Sequence, residues 1–390
     1  MMTFLLSALA VPPVLIHAAT AATKAVPVYE ITTRGFLDKL WQGVNGSGYG
    51  DKYQLSDVKN LNSTCPEEVA IVVHGWPLNE NQAKERLDRV KMSLENNTYT
   101  NISLVGFSWP SDTPWIAAKF AAKENGPKLA DFIVGLMNTC KQQHNKDVKI
   151  RLIGHSLGAR VILSSLDSLH KDPIWNSLGF KIASVHLMGA AVDDEEVSKN
   201  PQDILGDLTN WGTAKSDYGE AIQEEVVKFY NLYNSKDKLL GPNSVNPFSP
   251  YQIYPSFEGD SALGQSGSQT TPKISLPSNY VDINVTKEIP FNNDSDANGI
   301  CDDIRILTLR PPFEKLCMIT GPGDSHFGYF GFRATKLTLK DDGAMNVVVN
   351  NWKNINSTDL GNVDTVNSNG GIATHLVKSV LNEPSLFTSP

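Results

Sequence analysis

Ser156 stands in Gly154-His155-Ser156-Leu157-Gly158. The apolar run Val148 to Ile153 precedes it, and from Leu157 to Leu169 the sequence reads as a helix. A serine at a sharp strand-to-helix turn presents its hydroxyl clear of a sheet, and flanking glycines avoid Cβ clashes in that tight geometry. The chemistry implied is nucleophilic attack. A serine hydroxyl attacks well only if a base takes its proton and donors await the oxyanion.

The base must come from eight histidines. His17 falls in the amino-terminal apolar stretch, His144 and His170 end helical patterns, His186 lies inside an apolar strand and His375 is in the tail. His155 is expected to point away from Ser156 and to pack. His74 is expected to be structural, because a place beside the oxyanion donors precludes the position opposite. His326 stands in Gly321-Pro322-Gly323-Asp324-Ser325-His326-Phe327-Gly328-Tyr329, a Gly-rich loop suited to carrying a side chain into a crevice. It is the candidate base. Two carboxylates qualify as its orienting acid. Asp237 follows the strand-like Val226 to Tyr233 and is preferred, whereas Asp193 and Asp194 also read as the acidic first turn of a helix. The backbone N–H groups of Trp76, in His74-Gly75-Trp76-Pro77, and of Leu157 are the candidate oxyanion donors.

These residues need a scaffold that brings distant segments together. Glu68 to Val73 is a near-continuous apolar run, as strands buried on both faces are. Leu87, Val90 and Leu94 then recur at helical spacing between about 79 and 95. The cycle repeats with strands at 102–109, 148–153, 182–188 and 226–233, and with helices at 128–143 and 157–169. Strands alternating with helices predict a mainly parallel central sheet with helices on both faces. From Leu240 to about Asn298, Pro, Gly, Ser and Asn dominate, which predicts an insertion or lid before His326. A strand-like Ile304 to Leu309 and a helical piece at about Ala344 to Trp352 close the pattern.

With 390 residues, 41% hydrophobic and 19% charged, the chain is long and apolar enough for a sizeable core. Its formal charge of −8 argues against a dedicated nucleic-acid binder.

The constellation resembles the α/β-hydrolase superfamily, specifically esterase and lipase-like members of a poorly characterised serine-hydrolase subgroup. The residues that carry the likeness are Ile71 to Pro77, Phe107-Ser108-Trp109-Pro110-Ser111, Leu152 to Arg160 and Phe229 to Leu240. The resemblance covers about Glu67 to Gly331, leaving a lead at 23–66 and an extension at 332–390 outside. It implies a Ser156, Asp237, His326 triad acting through an acyl-enzyme, with no cofactor required for catalysis. It says little about substrate, because the fold hosts many chemistries.

A second motif lies in the insertion. Asp294, Asp296, Asn298, the Ile300 carbonyl and Asp302 have the spacing of a calcium loop, with Gly299 at the turn, but Arg305 replaces the bidentate Glu. The two readings of this segment are a structural Ca2+ site and a solvated acidic turn beside a disulfide. Phe4 to Ile16 followed by Ala18 to Ala22 reads as a signal peptide over 1–22, although no Lys or Arg precedes it. A tether through this terminus is the alternative, since spanning a bilayer takes ~20 apolar residues. Cys65, Cys140, Cys301 and Cys317 fit two disulfides, with Cys301–Cys317 the preferred pair. Seven N-x-S/T sequons, at Asn45, Asn62, Asn96, Asn101, Asn284, Asn293 and Asn356, fit an exported glycoprotein but reflect mainly the abundance of Asn. The expectation is a secreted or cell-surface serine hydrolase of small-molecule or lipid esters that does not bind nucleic acid. An amidase, thioesterase or polyester hydrolase on the same triad, or a non-catalytic extracellular binding module, are the alternatives.

Overall fold

The computed structural model describes residues 25–34, 54–55, 58–96, 101–199, 217–237, 239–241, 261–269, 275–286, 326, 329, 332–341 and 345–354. The strands are β1 (Val28–Thr32), β2 (Gln54–Leu55), β3 (Glu68–Val73), β4 (Ser103–Ser108), β5 (Lys149–His155), β6 (Ile182–Met188), β7 (Val226–Tyr233) and β8 (Tyr280–Asn284). They form one eight-stranded sheet in the order β2-β1-β4-β3-β5-β6-β7-β8. Only the short β2 runs antiparallel to its neighbour.

Alternation along β3 explains why the run is apolar throughout. Val69, Ile71 and Val73 join one hydrophobic cluster and Ala70 and Val72 the other. Against the first face pack α3 (Trp115–His144), α4 (Gly158–His170), the short α5 (Pro173–Leu178) and α6 (Gly219–Glu225), through residues such as Phe132, Ile162, Trp175 and Ile222. Against the second packs α2 (Glu80–Asn96), whose Leu87, Val90 and Leu94 are buried. Two faces each covered by helices demand apolar side chains at both parities of the strand.

Parallel registry lines up the strand ends that matter for chemistry. Val73 pairs with Gly154, Gly154 with Leu187, and Leu187 with Asn231, so these residues form one row across the sheet. Just beyond the row, on one edge, come His74-Gly75, His155-Ser156, Met188-Gly189 and the turn to Asp237. Ligand sites of open parallel sheets lie at this carboxyl edge.

The helix expected at 128–143 begins earlier, at Trp115, with Pro127 in its interior. Proline supplies no N–H to the carbonyl four residues back. Ser164 Oγ of α4 donates to that carbonyl, Lys123 O, at 2.7 Å. Gly126 permits the approach, since a Cβ there would lie 2.4 Å from Ser164 Cβ. Three other segments depart from expectation. The lead contributes β1 and α1 (Val58–Thr64) to the main layers, β1 lying parallel to β4. Within the stretch expected to be irregular, α7 (Leu263–Ser266) and β8 extend the sheet beyond β7. The segment read as a terminal helix is instead β10 (Met345–Asn354), which pairs antiparallel with β9 (Phe332–Asp341) in a separate two-stranded sheet. Its run Val347-Val348-Val349 is β-branched, which favours a strand over a helix.

Cys65, at the end of α1, is disulfide-bonded to Cys140 of α3. Cys301, Cys317 and the strand-like 304–309 lie outside the described residues, as does the expected signal peptide. Among the described residues no helix is long and apolar enough to cross a membrane.

Candidate active site

Ser156 directly follows β5 with φ of 54°, the left-handed conformation that a nucleophile elbow imposes on a non-glycine residue. The surroundings hold it there. Ser156 N donates to Met188 O at 3.1 Å, and Ser156 O accepts from Ala159 N and Ala191 N at the same distance. The two motif glycines have separate jobs. A Cβ at Gly158 would meet Val73 O at 2.4 Å, where α4 starts against the end of β3, and one at Gly154 would meet Ile162 Cδ1 at 2.7 Å.

Gly75 is constrained by the serine itself. A Cβ there would lie 2.6 Å from Ser156 Cβ and 2.9 Å from His155 O. The turn carrying Trp76 therefore passes directly beside the serine. It is braced by the Phe107-Ser108-Trp109-Pro110-Ser111 segment. Ser111 Oγ accepts from Leu78 N at 3.1 Å and donates to Leu78 O at 3.0 Å, while Trp109 Nε1 donates to His74 O at 2.8 Å. Trp76 itself donates from Nε1 to Thr113 O at 2.6 Å and meets Trp115 edge to face. Leu157, the other expected donor, is buried and caps α4.

His74 is structural, as expected. Its Nε2 accepts from Trp109 N at 3.1 Å, so the proton sits on Nδ1, which donates to Gly75 O at 2.9 Å. Burial, helped by the charge of Arg34, lowers its pKa from 6.5 to about 3. His186 is likewise internal, bonded to Ser184 Oγ at 2.7 Å and stacked on Tyr230.

Asp237 and His326 meet. His326 Nδ1 donates to Asp237 Oδ2 at 2.6 Å, and both side chains are buried. The other carboxylate oxygen, Oδ1, accepts from Leu239 N and Leu240 N at 3.0 and 3.1 Å, so the Asp-Lys-Leu-Leu segment is an Asx turn that aims the acid. Gly189 adjoins the imidazole. It has φ of +55°, and a Cβ on it would come within 3.3 Å of His326 Nδ1 and 3.1 Å of Tyr329. Because Gly189 follows Met188, whose carbonyl accepts from Ser156 N, the imidazole lies in the neighbourhood of the serine.

Asp193 goes elsewhere. It does not begin a solvated helical turn; Asp193 bridges to Ala262, residues 194–197 form turns, and the four acids at 193–196 are buried. Glu196 receives Arg160 Nη2 and Nη1 at 3.0 and 3.3 Å. Burial raises the Glu196 pKa to about 7, against the pull of Arg160, while burial lowers Lys119 from 10.5 to about 7. Asp193 belongs electrostatically to this group. The carboxylate against His326 is that of Asp237.

Two contributors were not singled out from the sequence. Gly189 could have been noticed as a glycine directly after β6, and Tyr329 lies three residues past His326. Tyr329 is buried against His155 edge to face, and burial together with the Asp237 charge holds its phenol well above the usual range. The calcium-loop residues Asp294, Asp296, Asn298, Ile300 and Asp302 lie outside the described residues.

Residues 52–240 match a family model described as an alpha/beta hydrolase of unknown function (DUF900). No curated protein matches the chain. Similar solved structures include TT1662 from Thermus thermophilus, at 12% identity over 56% of this chain and 79% of that one, with a TM-score of 0.29. They also include the lin2722 gene product of Listeria innocua, at 11% identity over 56% and 84%, with a TM-score of 0.31. The parallel sheet flanked by helices and the match at 52–240 agree with each other, and both are those of an α/β-hydrolase fold.

Proposed function

We propose that the protein is a serine hydrolase that cleaves carboxylic esters through an acyl-enzyme. The observation that most supports this reading is the buried Asp237–His326 bond, formed at the same sheet edge as a serine held at positive φ just after β5. His326 takes the Ser156 proton on Nε2 as Oγ attacks the ester carbonyl. Asp237 keeps the imidazole proton on Nδ1 and stabilises the imidazolium that forms. The oxyanion is received by the N–H groups of Trp76 and Leu157. His326 then protonates the departing alcohol, leaving an acyl group on Ser156. Water, deprotonated by His326, attacks this ester and releases the acid and the free serine.

None of these steps calls on a metal or organic cofactor. The substrate class is a small-molecule or lipid ester. An exported location belongs to the same reading and is supported by the Cys65–Cys140 disulfide.

The test is turnover of p-nitrophenyl acetate, butyrate and octanoate by the wild-type chain and by Ser156→Ala. Hydrolysis by the wild type and its loss by at least about 1,000-fold in the folded variant are expected. Equal rates for the two proteins would refute the reading, and the acyl-length profile would define the substrate.

A further inference from the structure

We infer that His155 is a positioning residue that sets the main chain of His326 against the nucleophile, an assignment that rests on the serine-hydrolase reading above. His155 Nε2 lies 2.7 Å from the carbonyl oxygen of His326. A carbonyl only accepts, so Nε2 carries the proton of the neutral ring. The two imidazoles also pack, with centroids 4.8 Å apart and planes inclined by 52°, and Tyr329 meets the His155 ring edge to face.

The anchor is stiff because of where His155 sits in the chain. It is the last residue of β5, paired in register with Met188, and its peptide runs directly into Ser156. Its own carbonyl faces Gly75, where a Cβ would approach to 2.9 Å. His155 therefore cannot shift without moving the serine. His326 arrives from a segment 171 residues further along the chain. The two contacts on it act on different atoms. Asp237 fixes the ring through Nδ1, which sets its tautomer and rotation. His155 holds the backbone carbonyl, which sets where the ring is hung. One residue thus registers base to nucleophile, a geometry in which about 1 Å of misplacement costs on the order of 100-fold in rate.

Burial keeps His155 neutral, holding its pKa well below 6.5, with the neighbouring His326 acting in the same direction. The Nε2–H donor is then retained while His326 takes and returns the serine proton. This gives the residue next to the serine a purpose that simple packing does not.

The experiment compares full-length wild type, His155→Leu and His155→Gln. Leucine removes the donor at similar bulk, and the glutamine amide nitrogen reaches about as far as Nε2. Four quantities are read: kcat and KM for p-nitrophenyl acetate, melting temperature, and the low-field proton resonance of the His326–Asp237 hydrogen bond. The leucine variant is expected to lose about 10- to 100-fold in kcat with KM changed less than about two-fold, and its low-field resonance to shift or broaden. Glutamine is expected to restore most of the rate and the wild-type resonance. Wild-type kcat and resonance in the leucine variant would overturn the inference, as would a folded glutamine variant as impaired as leucine. If leucine prevents folding, glutamine decides alone: kcat below about a tenth of wild type overturns the assignment. A wild-type protein with no ester turnover would sink the hydrolase reading instead, while the proton resonance, which needs no substrate, still reports on His155.

Discussion

His326 Nδ1 and Asp237 Oδ2 are 2.6 Å apart across 89 residues of chain. The acid is pre-aimed: its second oxygen is occupied by the N–H groups of Leu239 and Leu240, so the carboxylate cannot rotate away without exposing buried donors. Asparagine at this position would present an amide and favour the wrong imidazole tautomer. Asp237→Asn is therefore expected to lower kcat by about 10,000-fold with little change in KM, the scale seen for triad acids. Asp193→Asn, measured per folded molecule, should change kcat by less than about ten-fold. The reverse ranking in steady-state kinetics would move the acid to Asp193.

Three buried histidines couple folding to pH. Burial lowers His74 to about 3 and holds His155 and His186 well below 6.5. Their folded pKa values lie below the unfolded value, so the unfolded chain binds more protons between about pH 6.5 and 3, and stability falls as pH drops through that window. Glu196 acts oppositely between about 4.5 and 7, because its folded pKa is raised and its contribution is lost as pH rises. Asp217, whose carboxyl pKa is also raised by burial, acts with Glu196, and three histidines against two carboxylates give a net loss on acidification. The melting temperature should fall from pH 7 to pH 4, with the His74 ring resonances still those of the neutral imidazole at pH 4.5. A His74 that titrates near 6.5 in the native protein would contradict the buried Nε2 acceptor.

Arg160 and Glu196 form a fully buried pair between α4 and the turn after β6. Removing one partner leaves an uncompensated charge in the interior, which costs about 3–5 kcal/mol, whereas removing both for apolar residues is close to neutral. Arg160→Met should thus lower stability in chemical denaturation far more than Arg160→Met with Glu196→Leu. Equal losses in the single and double variants would show that the charge pair is not what the site depends on.

The disulfide joins Cys65 to Cys140 across a sequence separation of 75. Closing a loop of that length removes chain entropy worth about 4 kcal/mol from the unfolded state. Paired Cys65→Ala and Cys140→Ala substitutions should lower the melting temperature by several degrees, and reductant should do the same to the wild type. A variant melting with the wild type under non-reducing conditions would exclude the bond.

The central strands were legible because their chemistry is redundant. Residues 68–73, 182–188 and 226–233 are apolar on both parities, and the structure gives these same spans. What escaped was set by contacts remote in sequence. The helix expected at 128–143 extends back through Pro127 because Ser164 supplies the donor that proline lacks. β1 is five residues, half-buried, and recognisable only beside β4. Asp193 and Asp237 both follow strands, and only the Leu239 and Leu240 N–H groups and the path to His326 separate them. His155 looked like packing because the carbonyl it holds lies 171 residues away.

Ser156 as the nucleophile is tested most directly by mass spectrometry of the chain after reaction with a fluorophosphonate, which an activated serine attacks with loss of fluoride. One phosphonyl group per chain, mapped to the peptide containing Gly154 to Gly158 and absent from Ser156→Ala, is the expected result. A chain that remains unmodified, or one labelled elsewhere with Ser156 intact, would contradict it.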